Sequence, residues 1–262
     1  MPVNKASAPK PVRSEFVQSL EKGLMVIRCF DEGHPTRTLT ETAAAAGLTR
    51  AAARRFLLTL QALGYVESVS RNFRLLPKTL ELGYAYLASQ PWWRHAQRIA
   101  ERLGAEQGQA CAVGVLDRDA VAYVAYAPAV NLPSLVRTVG TRLPAHATAI
   151  GRVLLAGLSE EAFAEYLRQT KLVPLTPLTC IDPRKLAIAV QRAQRDGHSV
   201  VNQELEMGLR SIGVPVFDRS GRTAAAISFS VRDPYFSAEK LVKKLLSPLR
   251  KASAEITASS PT

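Results

Sequence analysis

The chain has 262 residues, 47% of them hydrophobic, and carries a formal charge of +12 from 34 Lys and Arg against 22 Asp and Glu. That length suits two domains rather than one, with enough apolar residues for a real core. The basic excess points to a polyanionic partner, and no run of about 18 apolar residues exists to span a membrane.

In chain order, residues 1–13 hold Lys5, Lys10 and Arg13 among Pro2, Pro9 and Pro11, without the apolar stretch of a signal peptide. They read as a disordered basic arm. Residues 14–30 predict a helix, with Leu20, Leu24, Ile27 and Phe30 on one face. Thr38-Leu39-Thr40-Glu41 fits a capping box, opening a short helix from Leu39 to Ala46 that Gly47 ends. Thr49 caps a third helix running to Leu63, with Ala53, Phe56, Leu57, Leu60 and Leu63 as its apolar face. After Gly64, residues 65–69 and 73–75 predict two strands joined by Ser70-Arg71-Asn72. Helix, short helix, tight turn, helix, hairpin is the order of a winged helix-turn-helix over 14–76. Five of the six charges from Arg50 to Arg74 are basic, with Glu67 the exception. Residues 77–90 predict a linker helix, with Leu80, Tyr84 and Leu87 at helical spacing.

A second domain, 91–257, is expected beyond Pro91. A helix carries Trp92, Ala96, Ile99 and Leu103 on one face. Residues 110–116 and 120–125 form a hairpin, and 135–139 a further strand. Helices follow from Ala147 to Leu158, after Ser159, and from Asp182-Pro183, where Pro occupies the first helical position. Strands are expected at 199–201, 212–217 and 224–231, then a C-terminal helix after Ser237 with a frayed tail beyond Ile256. The class is α+β.

Several segments resemble the IclR family of bacterial regulators, over nearly the whole chain. They are Ser19-Leu20-Glu21-Lys22-Gly23-Leu24, Leu60-Gln61-Ala62-Leu63-Gly64-Tyr65-Val66, the run from Leu143 to Arg152, and Gly208-Leu209-Arg210-Ser211-Ile212 leading into Val214 to Asp218. The run from Leu48 to Leu57, where Ala51-Ala52 replaces a common Ser-Thr pair, and Asn202-Gln203-Glu204-Leu205-Glu206 resemble one branch. That branch governs protocatechuate, p-hydroxybenzoate and β-ketoadipate catabolism. The resemblance implies a GAF-like α/β effector-binding domain, a homodimer or homotetramer, and a small organic acid as ligand.

The candidate DNA contacts follow from the protruding third helix and the wing. Thr49 and Arg50 at the helix N-terminus suit a backbone phosphate, and Arg54 and Arg55 suit phosphates or guanine edges. Ala51 and Thr40 join this set, as do Arg71 and Arg74 around the wing tip. An organic acid needs planar guanidinium donors, which puts forward Arg137 and Arg142, with Arg152 behind them. The helix N-terminus at Thr148, Ala149 and Ile150 offers backbone N–H groups to an anion. Asn202 and Glu204 are plausible polar contacts, and the resemblance adds Leu209 and Ser211 as lining. His146 reads as structural.

Enzyme readings fare poorly. Two Ser-x-x-Lys matches lack their companion motifs, and no nucleophile elbow, phosphate loop or paired-histidine zinc motif occurs. Cys29, Cys111 and Cys180 lie far apart with no Cys-x-x-Cys, so no disulfide framework, zinc site or cofactor is expected, and a reducing cytoplasmic setting is. The expected partners are a double-stranded DNA operator, an organic-acid effector (β-ketoadipate, protocatechuate or p-hydroxybenzoate), and RNA polymerase as a further candidate.

Overall fold

The computed structural model describes residues 15–90, 92–129, 137–232 and 236–259. The expected arm at 1–13 lies outside these residues, as does most of the strand expected at 135–139; residues 137–139 are not strand. The chain divides at Ser89–Gln90 into two compact units.

In the first unit α1 spans Gln18–Ile27, β1 Arg37–Thr38, α2 Leu39–Ala45, α3 Arg50–Ala62, β2 Val66–Val69 and β3 Asn72–Leu75. The capping box is intact. The Glu41 N–H donates to Thr38 Oγ1 at 3.2 Å, and the Thr38 N–H donates to Glu41 Oε2 at 2.8 Å. Both α2 and α3 end in the same closure. The Leu48 N–H reaches Ala43 O at 2.8 Å and the Tyr65 N–H reaches Leu60 O at 2.9 Å. Each closure puts a glycine at positive φ, Gly47 at 62° and Gly64 at 79°, which a side chain would strain.

Val26, Cys29, Ala46, Leu57, Leu60 and Val66 form the core of this unit. Leu57 is fully buried, so its truncation to Ala costs about 2–5 kcal/mol. The face expected of α1 holds at its C-terminal end, where Ile27 and Phe30 pack against this core, and is corrected at its start: Leu20 is 63% exposed and Leu24 45%, whereas Val26 is sealed. Leu63 is exposed as well. The two-residue β1 was not expected; it pairs with β3 and makes the wing a three-stranded sheet, β1-β3-β2. A 3₁₀ turn at Pro77–Thr79 leads into α4, Leu80–Ala88, none of whose residues is buried.

The second unit holds α5 (Trp92–Gln107), β4 (Ala110–Asp117), β5 (Ala120–Ala127), β6 (Arg142–Pro144), α6 (Ala149–Ala156) and α7 (Glu160–Gln169), followed by α8 (Pro183–Asp196), β7 (Ser199–Asn202), β8 (Arg210–Phe217), β9 (Thr223–Val231) and α9 (Ala238–Ser259). The α+β class expected from the sequence holds. The six strands pair antiparallel in the order β6-β5-β4-β9-β8-β7. Helices α5 and α9 pack on one face, and α6, backed by α8, on the other. The tail is not frayed at Ile256: α9 runs to Ser259 and Ile256 is fully buried. The short edge strand β6 was missed, because three residues ending in proline carry no alternation.

Strand alternation assigns each residue to a face. Ala112, Ser228 and Gly213 share one cross-strand row on the α6 side. Gly213 is there because α6 comes so close: a Cβ on it would sit 3.2 Å from the Ile150 backbone nitrogen.

Candidate DNA-reading surface and effector cleft

Helix α3 is anchored by Ala53, Leu57 and Leu60 and opened by Thr49, whose hydroxyl accepts from the Ala52 N–H at 3.2 Å. Burying that stripe turns the opposite stripe outward. Thr49, Arg50, Ala51, Arg54 and Arg55 are all exposed, and so is Thr40 on α2. Among the described residues, none of Arg50, Arg54, Arg55 and Arg71 has an acidic partner. Arg74 differs. It lies directly across from Glu67 in the wing hairpin and is ion-paired to it. The wing tip therefore presents Arg71 as a bare cation and Arg74 as a neutralised one. A row of unpaired guanidiniums on a protruding helix is the chemistry that meets phosphates and guanine edges.

In the second unit a polar cluster gathers at the α6 N-terminus, and it is the candidate effector site. The hydroxyl of Thr148 caps the helix by accepting from the Gly151 N–H at 3.0 Å. The Arg152 N–H is taken by Thr148 O at 3.0 Å. Among the described residues, the N–H groups of Ala149 and Ile150 stay unpaired, beside Gly213. Ser211 and Ser230 face each other across β8 and β9, on the same side as Ser228. Ser228 and Ser230 are buried, and none of these three hydroxyls has a hydrogen-bond partner among the described residues. The sequence put forward Ser211 but not Ser228 and Ser230, which look like ordinary strand residues in Ala-Ile-Ser-Phe-Ser-Val. The signal, in hindsight, is polar residues on the inward stripe of a central strand.

The aromatic side of the cluster is Tyr123 and Tyr126, stacked with ring centroids 6.0 Å apart. Burial pushes the Tyr123 phenol up to about 12, and nearby Arg137 opposes that shift. Arg137 itself is 8% exposed and bound to Glu206, whose other oxygen takes Arg232 at 2.5 Å. Glu206 belongs to a folded strap, 203–209. The Gln203 N–H donates to Leu209 O at 2.8 Å, and Gln203 Oε1 accepts from the Gly208 N–H at 2.8 Å. The strap buries Leu209.

The remaining sequence candidates fall elsewhere. Arg142 is on β6, on the sheet face opposite Ile150, and pairs with Asp117 in the exposed hairpin rim. Asn202 is exposed and points away from the row of Val201 and Ser211. Arg152 and Glu204 are committed to each other. Arg152 Nε donates to His146 O at 3.0 Å and Nη2 to Glu204 Oε2 at 2.6 Å. The same Glu204 oxygen accepts from the Cys180 N–H at 2.8 Å, and Thr179 Oγ1 donates to Glu204 O at 2.6 Å. This network ties the strap to α6 and to the 174–180 loop. His146 is buried, with Nε2 3.1 Å from Val173 O and Nδ1 bare; burial first, and Arg152 less, hold its pKa below the ordinary value.

A winged helix-turn-helix with exposed arginines, followed by a separate α+β domain with a buried polar cluster, is the architecture of a DNA-binding regulator with an effector-binding domain. The IclR helix-turn-helix domain matches residues 19–70, and the bacterial transcriptional regulator IclR C-terminal domain matches residues 84–258. The chain belongs to the IclR family. It is 38% identical over 92% of its length, and 84% of the relative's, to the Pca regulon regulatory protein of Pseudomonas putida. To the p-hydroxybenzoate hydroxylase transcriptional activator of Acinetobacter baylyi it is 31% identical, over 94% and 93%. A solved candidate transcriptional regulator from Rhodococcus sp. RHA1 is 42% identical, with a TM-score of 0.82 over 94% of this chain and 98% of that one. The inducer-binding domain of a PobR double mutant from Acinetobacter, solved with 3-hydroxybenzoic acid, is 29% identical with a TM-score of 0.57, over 63% of this chain and 96% of that one. The matched domains and relatives are transcriptional regulators, not enzymes. Among the described residues no helix is long and apolar enough to cross a membrane.

Proposed function

We propose that this regulator controls an operon for degradation of an aromatic acid and answers to a small organic acid of that pathway. The observation that carries the reading is the polar set at the α6 N-terminus, two N–H groups and three serine hydroxyls without a partner among the described residues, beside two tyrosine rings. Hydroxyls and N–H groups suit a carboxylate, and the rings suit an aromatic or planar body. The relatives named for the pca regulon and for p-hydroxybenzoate hydroxylase support the same substrate class. Arg137 is the guanidinium nearest this role, and an effector carboxylate would compete with Glu206 for it.

The DNA contacts are Thr49, Arg50, Ala51, Arg54, Arg55 and Arg71, with Thr40 flanking and Arg74 secondary. The operator is a pseudopalindrome read by a homodimer. Exposed apolar side chains on α1 and α4 support self-association: Leu20 at 63%, Leu80 at 76% and Tyr84 at 55%. Effector binding shifts operator affinity because the ligand binds two arrangements of the protein unequally.

The test is a thermal melt of the full chain against protocatechuate, p-hydroxybenzoate, β-ketoadipate and glyoxylate. A ligand specific to the native state stabilises it by roughly 3 kcal/mol at about 100 times its dissociation constant. A shift with one aromatic-pathway acid, lost in Ser230→Leu, supports both the class and the site. A shift with glyoxylate alone rejects the class.

A further inference from the structure

A cavity of about 280 Å³ opens between α8 and β7, and none of Ser211, Ser228, Ser230, Tyr123 and Tyr126 lines it. Arg152, Arg192, Asp196, His198 and Ser199 line it, with Ala189 among the small residues between them. Two of these side chains are buried, each with a polar atom unused among the described residues. The Arg152 side chain is 7% exposed, and its Nε and Nη2 are engaged by His146 O and Glu204. Its Nη1 has no hydrogen-bond partner among the described residues. Ser199 is 6% exposed, and its hydroxyl is likewise unpartnered among them. Sealed polar atoms without a partner among the described residues are His146 Nδ1 and Tyr166 OH only. Arg152 Nη1 and Ser199 Oγ are therefore not sealed: they open onto the cavity that their residues line.

We propose that this cavity is a second ligand site, taking a small monocarboxylate on Arg152 Nη1, Ser199 Oγ and Arg192. Two buried donors facing one void are what a carboxylate satisfies, since a buried donor left unmade is expensive. The charge balance selects a monoanion. Glu204 already offsets Arg152, and Arg195 pairs with Asp196 at 2.9 Å. Arg192 remains as the one cation of the rim with no acidic partner among the described residues, and Asp196 beside it repels a second negative charge. A doubly charged phosphate fits less well than a carboxylate. Occupancy loads the guanidinium that holds Glu204, so the site reports to the strap at 203–209.

The experiment is a titration of the full chain with sodium trifluoroacetate at constant ionic strength, followed by ¹⁹F NMR, with inorganic phosphate as a competitor. The variants are Arg192→Glu, on the exposed face of α8, Ser199→Leu, which fills the cavity, and Ser230→Leu, which crowds the cluster at the α6 N-terminus. Binding weakened at least fivefold by Arg192→Glu, lost in Ser199→Leu, and unchanged in Ser230→Leu supports the site. Where Ser199→Leu melts early, Arg192→Glu alone decides. Wild-type affinity in Arg192→Glu overturns the proposal. So does loss of binding in Ser230→Leu, which puts the anion at the cluster near α6, and so does phosphate outcompeting trifluoroacetate. Failure of the aromatic-acid reading leaves this result untouched, because that reading is decided by the melts with the pathway acids and not by trifluoroacetate.

Discussion

The two units use arginine in opposite ways. On α3 the guanidiniums of Arg50, Arg54 and Arg55 are exposed and, among the described residues, have no acidic partner. In the second unit Arg137 and Arg152 are buried, and each is bound to a glutamate of the same strap. A cation left in water keeps its hydration and is free to trade it for a phosphate. A cation moved out of water needs a fixed counter-charge, and the pair then fastens whatever backbone carries it. Residues 1–90 hold 12 basic and 7 acidic side chains and residues 91–262 hold 22 and 15, so net charge alone conceals this division.

Breaking the buried pair has the largest expected effect. Glu204→Ala strands the Arg152 charge and removes the acceptor of the Cys180 N–H, at about 3–5 kcal/mol of stability. A urea midpoint of the full chain, with the slope unchanged, checks it. A loss below about 1 kcal/mol means the pair does not fasten the strap. Breaking the exposed set gives the contrasting pattern. Arg55→Ala weakens operator binding by about 1–3 kcal/mol at matched salt while the melting temperature stays at the wild-type value. Retained affinity removes Arg55 from the reading set.

A third prediction concerns pH. The pKa of His146 is lower when folded than its ordinary 6.5, because the buried ring resists charging and Arg152 stands nearby. The unfolded chain then binds the proton more readily than the native one. Stability is complete above about pH 6.5 and falls as the pH drops below it. Chemical denaturation at pH 7.5 and pH 5.5 should show a loss in the wild type that shrinks in His146→Gln. An equal loss in both rules His146 out as the source. The smallest effect belongs to the wing. Glu67→Gln frees Arg74, and the salt dependence of operator affinity should steepen by up to one phosphate contact. An unchanged slope means Arg74 stays away from the backbone.

Much of the first unit was legible because its signals are local. Thr38, Glu41, Gly47, Thr49 and Gly64 act on backbone within four or five residues, and each does what its type dictates. The face of α1 was legible only at its C-terminal end. Two apolar stripes run along it, and periodicity alone does not say which one packs; Val26 and Cys29 are buried and Leu20 is not. In the second unit the helices and hairpins were readable, while the polar cluster was only half so. Ser228 and Ser230 gain meaning from their row with Gly213 and Ser211, which strand pairing creates. The partnership of Arg152 with Glu204 joins residues 52 apart, through a strap with no periodic signal.

The paired closures at Gly47 and Gly64 bear on how such a regulator changes its target over generations. They hold α3 at 13 residues, about 20 Å of helix, since both neighbours of that span occupy backbone that a side chain resists. An insertion or deletion there would break one of the closures. Substitutions at Arg50, Ala51, Arg54 and Arg55 meet no such barrier, because these side chains face water and leave the core untouched. The candidate contact residues can therefore be exchanged one at a time without disturbing a helix of fixed length.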